Sequence, residues 1–279
     1  MASPGCDWLL RHDALRGCFD SAMGERPGRR VLSGFGVSGR PVSLSGGQGT
    51  SWRTGDIVLK PVDDSALETL VWLDQHARLK LRDAGVRIAM PVRGEGGAVA
   101  IDGWTATPWL EGTSSAGEWG RKAEVGRQLA RAFSKVDPKQ LPVRDDPWAQ
   151  AERAAWGSLP DAPLHDHLLT GMLRPVDAPL GLVHGDLAGN VLFDPQLPPA
   201  VIDLSLYARP VEWSVAVLAV DAVCFEGAPF GVLDSISTDP TFPQYLARAL
   251  LFRMTADVLL GGLPAHVYDH AVAEVLDRL

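Results

Sequence analysis

The stretch from Leu180 to Ser205 constrains this chain most. It reads Leu-Gly-Leu-Val-His-Gly-Asp-Leu-Ala-Gly-Asn-Val-Leu-Phe-Asp, then a turn rich in proline, then Ala-Val-Ile-Asp-Leu-Ser. Val191, Leu192 and Phe193 predict one short strand, and Val201 and Ile202 a second. Asp194 to Pro199 carries three prolines and predicts the hairpin turn between them. Asp186 and Asn190 then fall in the loop before the first strand, and Asp203 at the end of the second. Two carboxylates and an amide can converge at the open end of one hairpin. Asp186 has no neutralising neighbour in sequence, so it can orient and deprotonate an incoming hydroxyl. Asn190 and Asp203 offer oxygen ligands of the kind magnesium takes. A base and metal-bridged phosphate oxygens are the parts that phosphoryl transfer uses. The competing reading of His184-Gly185-Asp186 is an ordinary turn with a capping Asp.

The order His-x-Asp, Asn, Asp is that of the kinase catalytic loop and its metal-binding Asp. In its His-Gly-Asp form the segment resembles the aminoglycoside phosphotransferase family and related small-molecule kinases. The resemblance makes Asp186 the catalytic base and Asn190 and Asp203 the Mg2+ ligands. Two departures stand out. Asn190 lies four residues after Asp186, where the kinase pattern has five. The second motif reads Asp203-Leu204-Ser205 instead of Asp-Phe-Gly.

Upstream, Val42 and Leu44 predict a strand, followed by Ser45-Gly46-Gly47-Gln48-Gly49-Thr50-Ser51 and then the strand Ile57-Val58-Leu59-Lys60. Gly47 and Gly49 would let backbone amides approach phosphate oxygens, with Thr50 and Ser51 adding hydroxyl donors. A plain hairpin loop is the other reading of this segment. Lys60 ends an apolar strand, as does the phosphate-binding lysine of kinases. Residues 65 to 84 carry apolar positions at helical spacing, with Asp63, Asp64 or Ser65 as N-cap. Glu68 lies one turn inside. It either pairs with Lys60, as in kinases, or complements the helix dipole. Further strands are expected around Ile88–Pro91, Ala98–Ile101 and Trp104–Pro108. Trp109 and Leu110 fall where a kinase-like fold has its adenine-binding hinge, or else Trp109 is core.

A Gly/Ser/Thr stretch at 112–117 marks the expected lobe boundary. Helices are expected over Glu118–Val136, around Trp148 and Trp156, over 163–173, Val211–Phe225, Pro243–Leu260 and His266–Leu279. His165-Asp166-His167 could ligate a metal, but its two histidines do not share a helix face. Strands first and helices second is the α+β order. The resemblance implies a two-lobed protein-kinase-like fold. Residues 1–111 would form a small, mainly β nucleotide-binding lobe with an N-terminal helical extension. Residues 112–279 would form a larger, mainly helical lobe carrying the catalytic loop and acceptor site.

Composition narrows the partners. Of 279 residues, 46% are apolar and 22% charged, as in ordinary globular proteins. The net charge of -8 with no basic run argues against a nucleic-acid partner. Cys6, Cys18 and Cys224 are few and far apart, which argues against a disulfide framework or a zinc site and points to the cytoplasm. No signal peptide or bilayer-spanning run is visible, so no membrane is expected. The expected activity is ATP- and Mg2+-dependent transfer of a γ-phosphate to a hydroxyl of a small molecule. The acceptor would be an aminoglycoside-like antibiotic or a hydroxylated metabolite. A protein acceptor is disfavoured, because the Ala-Pro-Glu anchor and long activation segment are absent. The alternatives are a weak or inactive kinase-like binding protein, motivated by the short Asp186–Asn190 spacing, and transfer of AMP.

Overall fold

The computed structural model describes residues 26–44, 50–78, 81, 85–159, 161–262 and 265–279. Residues 1–25, where the N-terminal helical extension is expected to begin, and Gly47 and Gly49 lie outside the described residues.

Helix α1 (Arg29–Gly34) precedes a five-stranded antiparallel sheet of order β1-β2-β3-β6-β5. Its strands are β1 (Val42–Ser43), β2 (Trp52–Thr54), β3 (Ile57–Pro61), β5 (Ala100–Ile101) and β6 (Trp104–Pro108). The β5–β6 turn is Asp102-Gly103, both in the left-handed region at φ 48° and 76°. Asp-Gly is the pair that a type I′ hairpin turn favours. Along β3, Ile57 and Leu59 bury into a small core with Val31, Leu32, Phe35 and Ala106. Strand alternation therefore sends Lys60 to the other face of the sheet.

Helix α2 (Asp64–His76) starts where the Asp63 side chain accepts the Ala66 N–H at 2.7 Å, an N-cap bond. It ends at His76, short of the expected residue 84. Strand β4 (Arg87–Ile88) does not join the first sheet. It pairs in parallel with β9 (Ala200–Val201), which pairs with β8 (Val191–Leu192) in a three-stranded sheet. Arg87 strengthens this junction, donating to the carbonyls of Pro198 and Glu111 at 2.8 and 2.7 Å. β7 (Gly181–His184) and β10 (Leu206–Arg209) form a separate antiparallel pair.

The second, larger core is helical. It gathers α3 (Trp119–Ala132), α4 (Pro147–Ala155), α5 (Leu168–Gly171), α6 (Val211–Phe225), α7 (Val232–Ser235), α8 (Phe242–Leu260) and α9 (Asp269–Leu276). Both α6 and α8 are apolar nearly all round and accordingly buried. Trp213 on α6 meets Tyr207, Phe252 and Trp156 at centroid distances of 5.4, 5.4 and 6.4 Å. Of the helix expected over 163–173, only Leu168–Gly171 forms. The His167 ring is its cap, accepting the Leu169 N–H at 3.2 Å, and His165 bonds the Ala162 carbonyl at 3.1 Å. Each ring thus commits its Nδ1 to local backbone, and His165 Nε2 lies 3.0 Å from Asp166 Oδ2. Among the described residues no helix is long and apolar enough to cross a membrane.

Candidate active site

His184 ends β7 and is fully buried. The Asp186 N–H donates to its Nδ1 at 2.9 Å, so that nitrogen carries no proton. Nε2 is left to donate to the Ile202 carbonyl at 3.3 Å. Burial pushes the imidazole pKa down against the pull of Asp186, which keeps the ring neutral. His184 is therefore a rigid bracket between the loop carrying Asp186 and the strand leading to Asp203. Ser214 adds a second tie, its hydroxyl donating to the His184 carbonyl at 2.5 Å. Gly185 is required by space: a Cβ there would collide with the ring of Tyr207.

Both oxygens of the Asp186 carboxylate are engaged. Asn190 Nδ2 donates to Oδ2 at 2.9 Å and to the Asp186 carbonyl at 2.8 Å. The four-residue spacing thus still brings Asn190 to Asp186. Arg253 Nη2 donates to Oδ1 at 2.9 Å. The same guanidinium clasps Asp221, Nε to Oδ1 at 2.8 Å and Nη2 to Oδ2 at 2.5 Å. Burial pushes the Asp221 carboxyl up to about 6 despite Arg253. Burial alone would lower the Arg253 pKa, but Asp221 and Asp186 together raise it, so the guanidinium stays charged.

Asp203 follows β9. The Ile202 N–H donates to the Asn190 carbonyl at 3.0 Å, which fixes Asp203 beside the loop. Its backbone is left-handed at φ 50°, a conformation Asp tolerates better than most residues and one found at strained functional positions. Lys60 Nζ lies 2.9 Å from Asp203 Oδ1. Burial would raise the Asp203 carboxyl, but the lysine charge and hydrogen bond hold it below its usual range. Asn190 and Asp203 present side-chain oxygens, the donor type that a hard divalent cation such as Mg2+ takes.

Lys60 is not paired with Glu68, as one sequence reading held. Glu68 is exposed on the outer flank of α2, while Thr69, Trp72 and Leu73 take the inward positions. Ser51 is buried, and its carbonyl accepts the Leu44 N–H at 2.9 Å. Thr50 and Leu110 are half-buried. The Trp109 N–H is committed to the Asp56 carbonyl at 2.7 Å. Its indole lies under Arg53, 3.9 Å from guanidinium carbon to ring centroid, and donates to Glu111 at 2.8 Å. Trp109 is thus tied to the sheet edge by both backbone and side chain.

Sequence reasoning missed Arg253 and Asp221. Each carried a signal, as one of the few charges inside a mostly apolar helix, where a buried charge needs a partner.

The model of the phosphotransferase enzyme family, APH, matches residues 46–208. An aminoglycoside phosphotransferase from Alicyclobacillus acidocaldarius superposes with TM-score 0.59 at 14% identity, covering 94% of this chain and 96% of that one. A choline/ethanolamine kinase family protein from Mesorhizobium loti gives TM-score 0.53 at 18% identity, with coverages of 87% and 88%. A thermostable mutant of aminoglycoside phosphotransferase APH(4)-Ia, in ternary complex with ADP and hygromycin B, gives 0.52 at 16%, with coverages of 89% and 95%. The fold is thus the two-lobed, protein-kinase-like α+β fold. No curated protein matches the chain.

Proposed function

Because this chain belongs to the phosphotransferase enzyme family, we propose that it moves the γ-phosphate of ATP to a hydroxyl of a small molecule, an aminoglycoside-like antibiotic or a hydroxylated metabolite. The observation that carries this reading is the pair of held aspartates. Asp186 is gripped on both oxygens, and Asp203 faces the lysine of the opposite sheet. In the proposed reaction Asp186 orients the acceptor hydroxyl and takes its proton as the oxygen attacks the γ-phosphorus, whose bond to the β–γ bridging oxygen breaks to release ADP. Lys60 neutralises phosphate oxygens of the nucleotide, with Gly47, Gly49, Thr50 and Ser51 as further donors. Asn190 and Asp203 would hold Mg2+, which when bound neutralises charge on the phosphates. His184 transfers no proton and keeps the loop in place.

The ADP in the APH(4)-Ia complex motivates an adenine nucleotide as donor. We assign its base to the hinge around Trp109 and Leu110, through the Trp109 ring and neighbouring backbone, since the Trp109 N–H is already used. Residues 1–111 would be the nucleotide lobe and 112–279 the acceptor lobe. Asn190 stands beside Asp186 despite the shortened loop.

The test pairs calorimetry with product analysis. ATP should bind more tightly with Mg2+ than without it, and Asp203→Ala should abolish that difference. Incubation with a panel of hydroxylated metabolites and antibiotics should give a product heavier by one phosphoryl group. A product heavier by AMP, or nucleotide binding with no product from any acceptor, would refute the proposed reaction.

A further inference from the structure

We propose that Arg253 is a positioning residue for Asp186, with Asp221 holding Arg253 in turn, so that helices α6 and α8 set the orientation of the catalytic carboxylate. This rests on the reading of Asp186 as the base. The geometry is specific. The guanidinium meets Asp221 with two nitrogens, at 2.8 and 2.5 Å, and that fork fixes its plane. From this fixed plane Nη2 also reaches Asp186 Oδ1 at 2.9 Å. Its carbon lies 5.6 Å from the Trp148 ring centroid and 5.2 Å from that of Phe252, so aromatic faces restrict it as well. The arginine side chain is 9% exposed, whereas that of Asp186 is 43% exposed. A half-exposed aspartate is thereby anchored to a group that cannot move.

The loop alone cannot supply this. Asn190 holds Oδ2 and the Asp186 carbonyl, both within one tight turn. A second grip on Oδ1 from outside the loop prevents rotation about χ1 and χ2. Each oxygen keeps lone pairs for the acceptor hydroxyl. A purely structural role, with Arg253 tying α6 to α8 through Asp221, would need only the Asp221 fork. The contact with Asp186 is the additional feature, and it points out of the core toward the reacting group.

The test uses the full chain with ATP, Mg2+ and either the acceptor found in the panel or water, read as phosphate release. Arg253→Ala leaves Asp221 buried and unpaired and can unfold the protein. The informative variant is therefore the double substitution Arg253→Met with Asp221→Leu, which removes both buried charges. It should keep its melting temperature and ATP affinity yet lose roughly 10- to 100-fold in kcat, since a misplacement near 1 Å costs on that order. Arg253→Lys should recover part of the loss, because it restores the charge without the planar fork. Guanidinium added to Arg253→Ala should raise its kcat but leave Asp186→Ala unchanged. A crystal structure of the double variant should show Asp186 displaced. Wild-type kcat in the double variant, alongside an inactive Asp186→Ala, would overturn the inference and leave the base assignment standing. Full activity in Asp186→Ala would overturn both.

Discussion

Lys60 and Arg253 approach the two site aspartates from opposite sides, and they are held in opposite ways. The lysine side chain is 33% exposed and makes one ion pair, at 2.9 Å to Asp203. The arginine side chain is 9% exposed, clasps Asp221 and bonds Asp186. Lysine is a compact point charge on a flexible stem, and arginine a rigid fork. The sheet side of the site thus offers a cation on a flexible stem. The helical side offers one that fixes a carboxylate. The underlying cores differ in the same sense. The sheet core gathers a handful of buried residues, whereas the helical core buries Lys122, Glu152, Asp221, Arg248 and Arg253 among its apolar side chains. Only a large, well-packed core can hold ionised groups where they must be paired to persist.

The largest effect should come from the fixed side. Asp186→Ala should lower turnover by ~10²–10⁴-fold, the size of a general-base contribution, with ATP affinity retained. A smaller loss than that of Lys60→Ala, measured in the same assay, would reverse the comparison. Next in size, Arg253→Ala should cost about 3–5 kcal/mol of folding stability in denaturant titration, because it strands a buried carboxylate. Lys60→Ala should cost at most about 1 kcal/mol, the range of part-exposed ion pairs.

The two sides should also answer pH with opposite signs. Asp221 has a folded pKa of about 6, raised by burial above its ordinary 3.8. Its contribution is therefore full at acid pH and lost as pH rises through about 6. Asp203 is lowered by Lys60, so its contribution is present above the ordinary carboxyl range and lost as pH falls through the lowered value. Unfolding of Asp221→Asn, followed from about pH 4 to about pH 7, and of Asp203→Asn, followed from about pH 5 down to about pH 2, should deviate from the wild-type curve in opposite directions. Deviations of the same sign would show that the two carboxylates share one environment.

The smallest effect belongs to Glu68. Lys60→Ala and Asp203→Ala should be strongly non-additive in nucleotide affinity, because they act as one unit. Glu68→Ala should change affinity by less than about 3-fold and combine additively with Lys60→Ala, as distant independent sites do. Strong coupling between Glu68 and Lys60 would mean that the exposed position of Glu68 is not the one it takes with nucleotide bound.

What was legible in the sequence was what is close in sequence. Asp186, Asn190 and Asp203 fall within one hairpin, so turn and strand signals sufficed to bring them together. Val211–Phe225 and Phe242–Leu260 are nearly as their apolar runs predicted. Distant pairings were not legible. Nothing local in Arg87-Ile88 shows that β4 pairs with β9, since backbone ladders carry no identity of the partner. Arg253 could be suspected as a buried charge needing a carboxylate, but the sequence holds 34 acidic residues from which to choose. Glu68 failed for a related reason. Its helical position was read correctly, but which flank of α2 faces Lys60 depends on how the helix packs. At 163–173 the apolar spacing suggested a helix, yet His167 caps a single turn instead.

The contact between Arg253 and Asp186 spans 67 residues of chain. A ribosome adds ~5–20 residues per second, so roughly 3 to 13 seconds separate the making of the aspartate from the making of its anchor. Every new copy therefore passes through an interval in which its His184-Gly185-Asp186 motif is complete in covalent terms but the Asp186 carboxylate has no buried cation to meet. Asp221 is made in that interval as well, and it must wait in a nascent apolar helix for the same arginine. Closure of the site is thus a late event in the life of the chain, timed by the arrival of α8.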